Sequence, residues 1–104
     1  MKRAEVAITN KIGLHAKPAT YFVLATNKFK CSIWIEKTNL DRRVNAKSLL
    51  GVLSLGIVGG ADVIIVCDGP DEDLALSTLI RMIKTGFADE NEVRDIIYSL
   101  QTSS

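Results

Sequence analysis

The spacing of apolar residues switches between two periods along this chain, and that alternation limits the folds it can adopt. Alternating or continuous apolar patterns predict four strands, at residues 3–8, 31–36, 43–46 and 62–68. Helical spacing predicts helices over about 16–27 and 72–85, a short helix after Ser48 and a last helix beyond Asp89. We therefore expect an α+β fold: one mixed-order antiparallel sheet with helices on one face, in a split βαβ arrangement.

Composition narrows the class of protein further. A chain of 104 residues, of which 47% are hydrophobic, is one small domain with a real core. The formal net charge is +1 and no stripe of Lys or Arg is present, which argues against a nucleic-acid partner and gives no reason to invoke a membrane. Since no apolar run is long enough to span a bilayer and no secretory leader is evident, we expect a cytoplasmic protein.

The two cysteines, Cys31 and Cys67, are expected to be small core or edge residues in a reducing compartment rather than a disulfide. One histidine and two separated cysteines are too few ligands for zinc. We expect neither a metal nor a cofactor on this chain.

The only histidine, His15, lies between a glycine turn at Gly13 and a proline at Pro18. Proline suits the first turn of a helix, so His15 is predicted to stand just before a helix, beside backbone N–H groups that no carbonyl satisfies. Such a position attracts anions, Lys17 adds a mobile cation, and a neutral imidazole is a good nucleophile. A histidine at this place is more often an ordinary surface residue, so both interpretations stay open on these residues alone.

A leucine-rich stretch after Ser48 is the second informative segment. Ser48 fits a helix N-cap, and Gly51 or Gly56 is expected to weaken or end the short helix. The helix carries more leucines than it is expected to bury, which predicts either an exposed partner surface or inward packing: Leu49, Leu50 and Leu53.

Two motifs together resemble the HPr family, the histidine-containing phosphocarriers of the bacterial phosphoenolpyruvate:sugar phosphotransferase system. They are GLHAKPA at 13–19 and VNAKSLLGVLSLGI at 44–57, in the expected order of elements. The resemblance covers the chain to about residue 86. It implies an open-faced β-sandwich, with a four-stranded antiparallel sheet under three helices.

The same resemblance implies roles for individual residues. His15 would accept a phosphoryl group on Nδ1 from enzyme I and pass it to a sugar-specific EIIA domain. The backbone N–H groups of Ala16 and Lys17 and the Lys17 ammonium would stabilise the phosphate. Ser48 would be a regulatory site for HPr kinase/phosphorylase. The leucines would form an apolar docking surface: Leu49, Leu50 and Leu53.

The chain departs from the family pattern in three places. Lys17 stands where arginine is usual, which exchanges a two-pronged phosphate contact for a point charge, a loss on the order of 1–2 kcal/mol. The hairpin tip at 38–42 is slightly longer than usual. Residues 89–104 extend beyond a phosphocarrier domain that we place at residues 1–88.

The extension predicts an amphipathic helix with an apolar stripe: Val93, Ile96, Ile97 and Leu100. The sheet face away from the helices is expected to carry Trp34, Ile64 and Val66, which are costly to leave in water. One hypothesis is that the extension covers this face, its own in a monomer or a neighbour's in a dimer. The alternative is a surface helix with no fixed contact.

Two other functions remain possible from the sequence. One is a regulatory relative that uses Ser48 and the leucines to bind a transcription factor, although the presence of His15 argues against a regulator based on serine alone. The other is a carrier in a nitrogen-type phosphorelay.

Overall fold

A computed structural model describes residues 1–87, and the elements follow the predicted order with bounds that differ by at most one residue. They are β1 (Lys2–Ala7), α1 (Ala16–Thr26), β2 (Ser32–Lys37), β3 (Arg43–Asn45), α2 (Leu49–Ser54), β4 (Asp62–Asp68) and α3 (Glu72–Lys84). The predicted helix beyond Asp89 lies outside the described residues.

The four strands form one antiparallel sheet in the order β1-β4-β2-β3, which confirms the predicted mixed order. Val6 faces Val63 across the β1–β4 pair, and Ile35 faces Ile65 across the β2–β4 pair. Because β4 has strands on both sides and is apolar on both faces, it forms the centre of the sheet.

The core lies between this sheet and the helices. Alternate residues of the strands, such as Ile33, Ile35 and Ile65, are fully buried together with Phe22 of α1 and Leu79 of α3. The core is mostly aliphatic, and the three phenylalanines of the chain are buried in it: Phe22, Phe29 and Phe87.

One apolar residue of α3 does not join the core. Leu74 is 56% exposed, whereas α3 buries Ala75, Leu79, Met82 and Ile83. The four buried residues lie on one face of the helix, and Leu74 lies outside that face. The apolar stripe that packs on the sheet is therefore narrower than the sequence pattern indicates.

The opposite face of the sheet carries the three predicted apolar residues, but its most central one is already covered. Val66 is only 2% exposed and lies opposite Trp34 on one side and Arg3 on the other. The Arg43 guanidinium lies 5.8 Å from the Trp34 ring centroid, within the range of a cation–π contact. The free-energy cost of exposing this face to water is therefore smaller than the sequence suggests.

Both cysteines are buried and unbonded, which confirms the expectation of free thiols. Burial, aided by the nearby Asp71 carboxylate, raises the pKa of Cys31 to about 12, and burial raises the pKa of Cys67 to about 11. Asp71 itself accepts hydrogen bonds from the backbone N–H groups of Lys30 at 2.8 Å and Cys31 at 2.9 Å. These bonds outweigh its desolvation and lower the pKa of the Asp71 carboxyl.

Candidate functional site

His15 is the N-cap residue of α1, as the sequence predicts. Its backbone is extended (φ −135°, ψ 160°), and within the described chain its side chain makes no capping hydrogen bond. The residue is half-buried, so the imidazole is not enclosed in the core. An anion beside the ring would therefore meet the positive end of the helix dipole.

The first helical residue, Ala16, adopts a left-handed conformation with φ of 55°. For a residue with a Cβ this conformation costs about 1–2 kcal/mol, and nothing in the sequence marks the position. Ala16 is exposed and its carbonyl accepts a hydrogen bond from Thr20 Oγ1 at 3.2 Å. The chain thus turns sharply between His15 and the regular part of the helix.

The first turn of α1 is electropositive. Residues 16–19 include no acid, so no carboxylate of that turn opposes the positive end of the helix dipole. Lys17 lies in this turn and is exposed. The helix mouth is therefore accessible to an anion from solvent.

The loop before His15 is held against the chain that follows α2. The Leu14 amide donates to the Ile57 carbonyl at 3.1 Å, and Asn10 Nδ2 donates to the Gly13 carbonyl at 2.9 Å. Gly13 has φ of 78°, and a Cβ there would collide with the backbone of residues 57 and 58. Leu14 is fully buried, so its side chain anchors the backbone before His15 in the core.

Ser48 is the N-cap of α2, and its Oγ accepts a hydrogen bond from the Gly51 amide at 3.1 Å. The prediction of an N-cap is confirmed. Gly51 lies inside the helix, and Gly56, with φ of 59°, follows its end.

The leucines of α2 are exposed, so the expectation that they pack inward is wrong. Leu50 is 81% exposed, and the helix buries only Val52. We call the three exposed residues the leucine patch: Leu49, Leu50 and Leu53. The sequence analysis missed Val58, which is also exposed and lies against Gly13 beside the His15 loop.

Helix α1 is also tied to the chain just before Ser48. The buried Thr26 Oγ1 donates to the Ala46 carbonyl at 2.9 Å, and Asn27 Nδ2 donates to the Lys47 carbonyl at 3.0 Å. Lys47 Nζ in turn donates to the Phe29 carbonyl at 2.7 Å. The end of α1 is therefore hydrogen-bonded to the chain that leads into Ser48 and α2, a connection that sequence patterns do not reveal.

The described residues offer neither a metal site nor a membrane-spanning helix. Residues 1–87 contain no group of three His, Cys, Asp or Glu side chains placed to hold a metal ion. None of the helices in this range has the length and hydropathy needed to cross a bilayer.

Comparisons with known proteins agree with this architecture. The family model described as "PTS HPr component phosphorylation site" matches residues 2–85. The chain is 39% identical over 84 residues to "HPr-like protein Crh" of Halalkalibacterium halodurans, which covers 81% of this chain and 98% of that protein. It is 36% identical over 85 residues to "Phosphocarrier protein HPr" of Treponema pallidum, covering 82% and 94% of the two chains. A crystal structure of HPr from Thermoanaerobacter tengcongensis superimposes with a TM-score of 0.81 at 43% identity, covering 86% and 98%.

Proposed function

Since this chain belongs to the HPr phosphocarrier family of the phosphotransferase system, we propose that His15 accepts a phosphoryl group from enzyme I and passes it to an EIIA domain. The observation that carries the proposal is the position of His15, half-buried at the mouth of α1 with a side chain that does not cap its own helix. The imidazole can then react while the helix N–H groups bind the phosphate oxygens.

The transfer needs only groups already present at this helix end. The neutral imidazole attacks the phosphorus of the donor phosphohistidine through Nδ1. A new N–P bond forms as the donor's N–P bond breaks, and the donor imidazole leaves with that electron pair. The N–H groups of Ala16 and Lys17 and the Lys17 ammonium stabilise the charge of the transferring group. In the second transfer, the acceptor group of EIIA attacks the phosphorus, and the bond between phosphorus and His15 Nδ1 breaks.

Partner proteins must reach this site directly, because the phosphoryl group moves between two proteins. The leucine patch offers an apolar surface on α2, and the chain that leads into α2 is hydrogen-bonded to the end of α1. We assign this patch to docking of enzyme I and EIIA. Both proteins meet the carrier in the cytoplasm, where we place this chain. Residues 1–88 form the carrier domain in this proposal, and residues 89–104 are an appended helical segment.

Ser48 is proposed as a regulatory site for an HPr kinase/phosphorylase. The hydroxyl adjoins the leucine patch, so a phosphate on Oγ would bring negative charge to the docking surface. That charge would repel acidic partner surfaces and slow transfer to His15.

A second candidate is a regulatory role in which the Ser48 surface binds a transcriptional regulator. The similarity to a protein described as HPr-like Crh favours it. The presence of His15 argues that phosphoryl transfer is retained, either for sugar uptake or in a nitrogen-type phosphorelay.

One labelling experiment separates these functions. The wild-type chain and the variants His15→Ala and Ser48→Ala are incubated with enzyme I and radiolabelled phosphoenolpyruvate. We expect an acid-labile, alkali-stable label on the wild type and on Ser48→Ala, and none on His15→Ala. A wild-type chain that stays unlabelled by competent enzyme I would contradict the carrier function and favour the regulatory role.

A further inference from the structure

A groove of about 410 Å³ opens beside the first turn of α1, between that turn, the loop before His15 and the end of the described chain. Its apolar lining comes from Ile12, Pro18, Tyr21 and Phe87. Ile12 is 59% exposed, although it is a large aliphatic residue next to the glycine turn. An exposed apolar groove with this lining favours an apolar occupant.

The chain itself leads into this groove. Gly86 and Phe87 belong to its wall, and Phe87 is held there by a left-handed backbone (φ 54°) and an amide hydrogen bond to the Met82 carbonyl at 3.4 Å. Asp89 and Glu90 follow within three residues, so they lie at most about 11 Å from Phe87 along the chain. Segment 88–104 therefore begins at the edge of the groove.

The charges of the two parts are complementary. Lys11 and Lys17 line the groove, and the last turn of α3 adds Arg81 and Lys84 at the same end of the domain. The segment opens with acidic residues: Asp89, Glu90 and Glu92. Attraction between these sets favours a return of the segment toward α1.

The segment also carries apolar residues that can pack against the apolar lining of the groove. Four apolar residues follow the acidic ones at helical spacing: Val93, Ile96, Ile97 and Leu100. Because the segment is tethered at the groove, its effective local concentration is about millimolar for a short connection, so a weak intrinsic affinity suffices.

From these observations we infer that segment 88–104 folds back into the groove of its own chain and covers the Lys17 side of the His15 site. The open sheet face is the weaker location, since Val66 there is only 2% exposed, whereas Phe87 itself belongs to the wall of the groove. The segment acts as an internal competitor of partner proteins, a consequence that rests on the proposed function.

The docking is tested in the full-length chain by amide NMR. The double variant Ile96→Asp/Ile97→Asp places two charges on the stripe, and Ser99→Asp, which lies off the stripe, is the matched control. We expect the double variant to shift the amides of Ile12 and Tyr21, while Ser99→Asp leaves them in place. Unchanged amides of Ile65 and Leu79 verify that the core is intact.

Other patterns would overturn the inference. Shifts at Trp34 and Ile64 would place the segment on the open face, and shifts that depend on protein concentration would place it on a second copy. An absence of shifts at Ile12 and Tyr21 would exclude docking in the groove.

A second measurement tests the competition. A chain ending at Phe87 retains the whole described core, and a relative matches 84 residues of this chain over 98% of its own length, so the shortened domain is expected to fold. If the segment occupies the groove nine-tenths of the time, its removal raises the rate of phosphorylation by enzyme I about tenfold at low concentration. An equal rate in both chains would refute the competition. If neither chain accepts phosphate, the proposed function fails, and the docking is judged by the NMR shifts alone.

Discussion

The Leu14 amide donates a hydrogen bond to the Ile57 carbonyl oxygen at 3.1 Å, which joins the residue before His15 to the chain that leaves α2. Together with the contacts of Thr26 and Asn27 to residues 46 and 47, it fastens both ends of α1 to the two ends of the α2 segment. The proposed phosphorylation site and the proposed docking surface are thus held in a constant relative position, as a carrier that meets several partners requires.

Gly13 is expected to be the glycine least tolerant of substitution in the loop. Gly13→Ala combines a left-handed backbone with a collision against Ile57 and Val58, and we expect a loss of about 2–4 kcal/mol in the free energy of unfolding. Gly56→Ala is the matched control, since its φ is 59° but a Cβ would meet open space, so only about 1–2 kcal/mol is expected. Urea denaturation measures both, and equal losses would show that the packing against Ile57 is unimportant.

Lys17→Arg is expected to hold phosphohistidine more firmly. A guanidinium offers two parallel donors to phosphate, and a gain of about 1–2 kcal/mol corresponds to about a 5- to 30-fold change in an equilibrium or rate. The half-life of the phosphorylated chain should lengthen accordingly. The control variant Lys11→Arg makes the same exchange of lysine for arginine in the neighbouring loop, and it should leave the half-life of the phosphorylated chain unaltered. If the two variants lengthen the half-life equally, the effect comes from exchanging lysine for arginine in general and not from contact with the phosphate at position 17.

Ser48 variants should separate its structural role from its regulatory one. Ser48→Ala removes the bond to the Gly51 amide and should lower the free energy of unfolding by about 1 kcal/mol, with transfer from enzyme I unchanged. Ser48→Asp can still cap the helix but places a charge beside the leucine patch, so it should slow that transfer. A wild-type rate of transfer for Ser48→Asp would contradict the regulatory interpretation. The free energy of unfolding of Ser48→Ala would still measure the contribution of the N-cap.

The buried thiols predict a loss of stability at high pH. In the unfolded chain the thiols have their ordinary pKa of 9.0, while in the folded chain burial raises the pKa to about 12 for Cys31 and about 11 for Cys67. The folded state therefore binds more protons above pH 9, and the free energy of unfolding must fall as pH rises from about 9 toward 12. Urea denaturation at pH 8 and pH 10 should show a steeper decline in the wild type than in Cys31→Ala/Cys67→Ala. Parallel declines would mean that the thiols ionise alike in both states.

Much of the fold follows from local patterns. Strand alternation, the proline after His15 and the serine before the leucines predicted the elements in order, and both caps lie where expected. These features are encoded by neighbouring residues, because backbone preferences and capping act over a few positions. The resemblance to the HPr family added the roles of His15 and Ser48, which no periodicity indicates.

What the sequence by itself determined is the order of elements and a histidine at a helix mouth. Tertiary structure alone decided which apolar residues face solvent, as the exposed Leu50 and Leu74 and the covered Val66 illustrate. It also decided that the loop before His15 rests on Ile57, 43 residues after Leu14 in the chain. The physical reason is that burial and long-range hydrogen bonds depend on how whole elements pack, whereas periodicity reports only the side of an element on which a residue lies.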